Sequence, residues 1–372
     1  MANILINGFN SKTGGGKSIL NNYLSLLMIS NSKDLYYVIT PNKNEYNKYS
    51  CSFINVIEFR SIYKLNISFP VVNYFIFPNL IRKLGIDIIF NLGDIPIRSK
   101  KTQLYLFDWP YAAYPESSVW RVMDLKSYLI RKIKLFFFKK NIHFATQIIA
   151  QTITMKNKLS NIYGLENVAI VPNAVSLENL GNGEAYDFNL PANKTKLLYL
   201  TYYYPHKNLE ILIPLARLIK EASLPYCLVI TIESEQHKNA GKLIYKIKEN
   251  KLDDIIINIG PVCMKNVPSL YTQCDALLMP SLLESFSGTY VEAMFHKKPI
   301  LTSDIDFAID VCGESAFYFN PNDALSIFNC IRSAFSNEII RTEKIEAGKK
   351  RLGDLLTWKQ AFIKFQELIE KA

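Results

Sequence analysis

Residues 276–294 read ALLMPSLLESFSGTYVEAM, and their order sets the fold class. Ala276 to Met279 is an apolar run too short for a helix, and Pro280 closes it, as at the end of a buried strand. A Ser/Gly-rich loop follows, and a helix runs on to about Phe295. Strand, loop and helix in that order belong to an α/β sheet. Two acids stand eight residues apart here, Glu284 in the loop and Glu292 inside the helix. Eight helical residues would rise roughly 12 Å, enough for the pair to address opposite ends of one elongated ligand such as a ribose diol joined to a sugar ring. The plainer alternative is one N-cap acid and one acid on a helix surface.

Working outward, the same alternation runs through the chain. Short β-rich runs fall at 3–9, 35–40, 56–59, 86–91, 102–107, 147–150 and 168–171, with a loop and an apolar-periodic helix from Ser18 to about Met28 after the first. Past Pro172 and a Gly/Asn-rich segment at 181–193 the pattern restarts with runs at 196–201, 226–232, 255–259, 276–279 and 300–302. The reading is α/β, two doubly wound parallel-sheet Rossmann-like domains at 1–180 and 181–354, facing across a cleft. Ligands of such sheets sit beyond the C-terminal strand ends. The terminal helix, 355–372, carries Trp358, Phe362, Phe365, Leu368 and Ile369 at helical spacing and is expected to pack back on the first domain.

A length of 372 residues at 49% hydrophobic and 20% charged excludes disordered, fibrous and low-complexity classes. The six cysteines include no C-x-x-C pair and read as reduced thiols. The start MANILINGFNSK lacks the pattern of a signal peptide, and no run approaches the ~20 apolar residues of a membrane span, so a cytoplasmic protein is expected. The net charge of +10 is unevenly placed: residues 1–180 hold 21 Lys and Arg against 10 Asp and Glu, and the remainder 22 against 23. Between Trp120 and His143, seven cations (Arg121, Lys126, Arg131, Lys132, Lys134, Lys139, Lys140) face one acid, Asp124, and interleave with Leu129, Ile130, Ile133, Leu135 and Phe136 to Phe138. Such a helix suits an anionic membrane surface, or has its apolar face in a core and its lysines in water. No nucleic-acid recognition motif accompanies the charge, so no nucleic acid partner is expected.

Three further motifs bear on chemistry. Gly14-Gly15-Gly16-Lys17-Ser18 follows the first strand and resembles a P-loop, but Ser11 stands where that pattern needs glycine. Free N–H groups at such a turn still face an anion. Pro205-His206-Lys207-Asn208 places a lysine where its ammonium can neutralise a diphosphate leaving group. Asp304-Ile305-Asp306 follows a strand and reads as ordinary turn and cap chemistry, so no metal or other cofactor is expected.

A glycine-rich loop after the first strand, VPNAV at 171–175, YYPHKN at 203–208, PSLLESFSGTYVEAM at 280–294 and KKPILTSD at 297–304 together closely resemble glycosyltransferase family 4, the retaining group 1 glycosyltransferases of GT-B fold. The resemblance implies that Glu284 and Glu292 form the family's E-x7-E motif. Glu292 would take the donor's ribose hydroxyls and Glu284 would lie by the donor sugar, with Phe286, Ser287 and Gly288 offering N–H groups. Lys207 would meet the diphosphate, Gly15 and Gly16 would close on phosphate and acceptor, and Asp108 would stand near the reacting sugar. The chain departs from the pattern at Tyr202, where many members have arginine, and at Phe107, where many have histidine. The implied activity is transfer from a nucleoside-diphosphate sugar to a glycan or lipid-linked oligosaccharide acceptor in bacterial surface polysaccharide biosynthesis. A P-loop-like NTPase or kinase, or a noncatalytic nucleotide-sugar-binding protein, are the alternatives.

Overall fold

Strands rich in Ile, Leu, Val and aromatics, each followed by an amphipathic segment, leave a sheet apolar on both faces, and helices cover it. A computed structural model describes residues 1–12, 14–59, 69–174, 180, 181 and 183–372, so Val175 of the VPNAV motif and Asn182 of the segment between the halves lie outside the described residues. The chain divides into two units: Met1–Glu116 with Met123–Ala174 and Leu356–Ala372, and Ser117–Val122 with Val175–Leu355.

In the first unit the strands are β1 (Asn3–Asn7), β2 (Leu35–Thr40), β3 (Ile54–Glu58), β4 (Ile88–Asn91), β5 (Thr102–Leu106), β6 (Gln147–Ala150) and β7 (Val168–Ile170). They form one parallel sheet in the order β3-β2-β1-β4-β5-β6-β7. Side chains alternate across it. Ile4, Ile6 and Phe90 enter a core with Leu20 and Tyr23, whereas Leu5 and Ile89 enter another with Ile39, Phe77 and Ile81. Helix α1 spans Gly14–Ile29 and α2 spans Leu125–Asn141. The three glycines expected as loop form the first residues of α1, with Gly14 at φ +60, a left-handed conformation that glycine adopts without strain.

The C-terminal helix, Trp358–Glu370, starts with a capping box in which Thr357 and Gln360 satisfy each other's backbone donors. It packs on α1: the Phe362 and Phe365 rings lie 5.2 and 6.1 Å from that of Tyr23, and Gln366 Nε2 donates to the Tyr23 hydroxyl at 3.0 Å.

The second unit holds β8 (Thr195–Tyr199), β9 (Tyr226–Ile230), β10 (Ile256–Asn258), β11 (Ala276–Met279), β12 (Ile300–Ser303) and β13 (Ala316–Phe319), parallel in the order β10-β9-β8-β11-β12-β13. Two of its helices are α3 (Val267–Gln273) and α4 (Gly288–Phe295). Strand β13 was not foreseen; its four residues follow Gly313-Glu314-Ser315, which look like more loop.

Both sheets reverse strand order once, between β1 and β4 and between β8 and β11. Connections from the two central strands diverge there, leaving a crevice beyond their C-terminal ends.

Candidate active site

The turn after β8 and the loop after β11 therefore meet at the crevice of the second unit. The first is a single 3₁₀ turn, Pro205–Lys207, ended by Asn208 in the left-handed conformation at φ 56, ψ 38. Asn208 Nδ2 donates to the carbonyls of Pro280 (3.2 Å) and Pro321 (2.7 Å). The Leu282 amide donates to His206 O at 2.7 Å, and the buried Tyr199 hydroxyl donates to Lys207 O at 2.7 Å while lying 3.1 Å from Ser281 Oγ. Ser303 Oγ fixes the loop from beneath by donating to Ser281 O at 2.7 Å. These bonds bring two residues 77 positions apart into an ion pair: Lys207 Nζ donates to Glu284 Oε1 at 2.5 Å. Their side chains are 13% and 10% exposed, so the pair feels little screening by water.

Ser285 and Ser287 are buried beside Glu284, and Phe286 is half-buried. Ser287 is the N-cap residue of α4, its hydroxyl 2.8 Å from that of Thr289 rather than on a backbone N–H. A Cβ at Gly288 would meet nothing within 4 Å, so there is open space beside the first residue of this helix. Because α4 begins only at Gly288, Glu284 lies off the helix, and the rise expected from eight helical residues does not describe the two acids.

Glu292 sits one turn into α4. Its carboxyl is pushed up to about 7 by removal from water, an effect opposed by the Tyr271 hydroxyl, which donates to Oε2 at 3.1 Å. Sequence reasoning missed Tyr271, because in VPSLYTQ it has the spacing of an ordinary core aromatic. It missed the anchoring role of Asn208 too; an asparagine just before a helix was the available signal.

Asp108, Gly15 and Gly16 belong to the first unit. A Cβ at Gly16 would stand 3.7 Å from Asp108 Oδ2 and 3.8 Å from Ser11 Oγ, a buried hydroxyl with no hydrogen-bond partner. Gln151 Nε2 donates to Asp108 Oδ1 at 3.4 Å. Asp108 thus lies beyond β5, beside the N-terminus of α1. Phe107 is fully buried among Tyr105 and Phe138 and has no polar part in this site. Lys17, the P-loop-like lysine, pairs with Glu45 at 2.5 Å. Asp306 lies in the first turn of the helix Asp306–Cys312, where an acid complements the helix dipole. Among the described residues no group of three His, Cys, Asp or Glu is placed to hold a metal ion.

On α2, Leu135 and Phe138 face the core, whereas Leu125, Leu129, Ile133 and Phe136 are 73, 49, 58 and 60% exposed. At 100° per residue these four fall within a quarter of the helix circumference, with Lys126 on one margin and Lys132 and Lys139 on the other. Lys134 corrects the count of surface cations: it turns inward, pairs with Asp94, lies 4.7 Å over the Trp109 ring, and has its pKa lowered by burial. No helix among the described residues is long and apolar enough to cross a membrane.

Residues 184–351 match the family of glycosyl transferases group 1. The O-antigen chain mannosyltransferase RfbU of Salmonella typhimurium is 24% identical over 201 residues, 53% of each chain, so the match spans about half the length of that relative. An uncharacterised glycosyltransferase of Methanocaldococcus jannaschii is 25% identical over 92% of each chain. The fold is also that of Anabaena HepE, solved in complex with UDP and glucose, at a TM-score of 0.70 and 14% identity over 100% of both chains.

Proposed function

We propose that this chain, whose residues 184–351 match the group 1 glycosyl transferases and whose fold is GT-B, is a retaining glycosyltransferase of family 4. It moves a sugar from a nucleoside-diphosphate donor to a hydroxyl of a lipid-linked glycan acceptor in bacterial surface polysaccharide synthesis. The Lys207–Glu284 ion pair at the crevice of the second sheet carries this reading. Glu284 holds the ammonium in place until a diphosphate arrives, and the ammonium then takes up charge as the bond from the anomeric carbon to the diphosphate oxygen breaks. The N–H groups of Phe286, Ser287 and Gly288 add fixed dipoles to the same charge. Glu292 accepts from the ribose hydroxyls. The acceptor oxygen forms the new bond to the anomeric carbon and gives up its proton to the departing diphosphate oxygen; in the first unit, Asp108, with Gly16 beside it, and Gly15 are the residues proposed to serve the acceptor. With cation and dipoles in place the reaction needs no metal.

The exposed apolar stripe of α2 between lysine margins supports a second part of the proposal, that the protein works on an anionic membrane surface at its cytoplasmic face. A P-loop NTPase is disfavoured by the Lys17–Glu45 pair and by Ser11. The test is a panel of UDP- and GDP-sugars: one donor should raise the melting temperature and be turned over, since a ligand bound to the native state stabilises it. ATP turnover with no response to any sugar nucleotide would overturn the reading.

A further inference from the structure

Tyr271 lies in α3 with its ring buried, and its hydroxyl carries a single proton. Two acceptors compete for it, Glu292 Oε2 at 3.1 Å and Thr289 O at 3.3 Å, and the carboxylate is the stronger. The ring is stacked on the His296 imidazole, centroids 4.8 Å apart and planes 10° from parallel. Thr289 and Glu292 of α4 and His296, its C-cap residue, stand at i, i+3 and i+7, so Tyr271 covers that side of the helix and is held flat against it. His296 Nε2 is buried without a partner, and burial, then Lys298, lower its pKa, while the phenol donates its one proton to Glu292.

We propose that Tyr271 is a positioning residue for the donor: by holding Oε2 it fixes the rotation of the Glu292 carboxyl and leaves Oε1 to accept from ribose hydroxyls. The inference rests on the reading of Glu292 as the ribose residue. Tyr271 does not touch the donor; it acts through Glu292.

The phenol also favours the charged form of a carboxyl that burial pushes up to about 7. Other titratable groups nearby are engaged elsewhere. Glu284 is paired with Lys207, and Asp275, just before β11, with Lys196. On α4 itself the Tyr290 hydroxyl lies 2.7 Å from Thr302 Oγ1. Cys274 at the end of α3 is buried and its thiol is pushed up. On the helix Glu338–Gly353, which packs on α4, Lys344 lies over Phe317 and reaches Glu314 O, Lys349 pairs with Glu346, and Arg351 binds the carbonyls of Asp310 and Val311.

Tyr271→Phe keeps the ring on His296 and removes only the donor. The experiment titrates UDP, GDP and ADP into the wild type, Tyr271→Phe and Glu292→Gln by calorimetry from pH 6 to 9, with melting curves for each. For the nucleotide that binds most tightly, Tyr271→Phe should weaken affinity about tenfold at pH 7. Its affinity should return part of the way toward that of the wild type by pH 9, the binding midpoint having moved to higher pH. Affinity equal to wild type at every pH, or full recovery by pH 9, while Glu292→Gln still weakens binding, overturns the positioning role and leaves the ribose reading standing. Unchanged affinity in Glu292→Gln removes the ribose reading, and the inference with it.

Discussion

At the scale of the residue, the proposed donor site depends on how one cation and two carboxyls are held. Lys207→Ala removes the proposed charge-assisted contact to the diphosphate, of about 1.5–3 kcal/mol, and nucleoside-diphosphate affinity should fall about 10- to 100-fold in a direct titration. Glu284→Ala frees the lysine to swing. Donor affinity should change little, while turnover drops by about 100-fold, the cost of a misplaced catalytic group. Glu292 sets a pH dependence. With its carboxyl pushed up to about 7, the neutral form dominates below that pH and the ionised form above it, so donor binding should strengthen from pH 6 to pH 8. A flat profile over that range would argue that the ionised carboxylate is not what the donor needs. Lys207, Glu284 and Glu292 could be singled out from the sequence because their motifs combine charge with loop chemistry, and the structure pairs the first two. Tyr271 was not, since a buried aromatic at helical spacing looks the same whether it fills space or holds a carboxyl. Lys134 was misread for the converse reason: only the fold shows that it faces Asp94.

At the scale of the element, the loops that carry the pair are cross-linked before any ligand arrives. Asn208 does this twice over and adopts a left-handed backbone, so Asn208→Ala loses two buried hydrogen bonds and gains strain. A loss of about 2–4 kcal/mol is expected in denaturant unfolding, and Asn208→Gly should recover the conformational part only. Helix α2 makes a separate prediction. Ile133→Glu with Phe136→Glu places charge on an already solvated stripe, so stability should hold within about 0.5 kcal/mol while sedimentation with anionic vesicles at low salt is lost. Equal binding by the variant, or none by the wild type, would remove the membrane role. Strand and helix order could be read from periodicity, but the boundary of α4 could not, because SFSGTY suits both loop and helix start and only packing sets Gly288 as the first helical residue.

At the scale of the whole molecule, each unit is a parallel sheet with a single reversal of order, and that topology puts Lys207 and Glu284 on neighbouring connections. The sequence alternation implied such sheets, and adjacency of β8 and β11 follows from the usual order of doubly wound folds. The transfer of Ser117–Val122 to the second unit was not legible, since six residues amid first-unit sequence carry no signal of their own. The C-terminal helix binds its unit through Phe362, Phe365 and Ile369, each side chain contributing about 1.5–3 kcal/mol, so a chain ending at Leu355 should unfold at markedly lower denaturant. Transfer should persist in excess EDTA; loss on chelation with rescue by magnesium would contradict the metal-free reading. The measurement closest to the centre of the account is the affinity of wild type, Lys207→Ala and Glu292→Ala for UDP and GDP at pH 8. One nucleotide should bind the wild type and lose at least about tenfold in each variant, whereas equal affinity in all three proteins would show that the crevice beyond β8 and β11 is not where the donor is held.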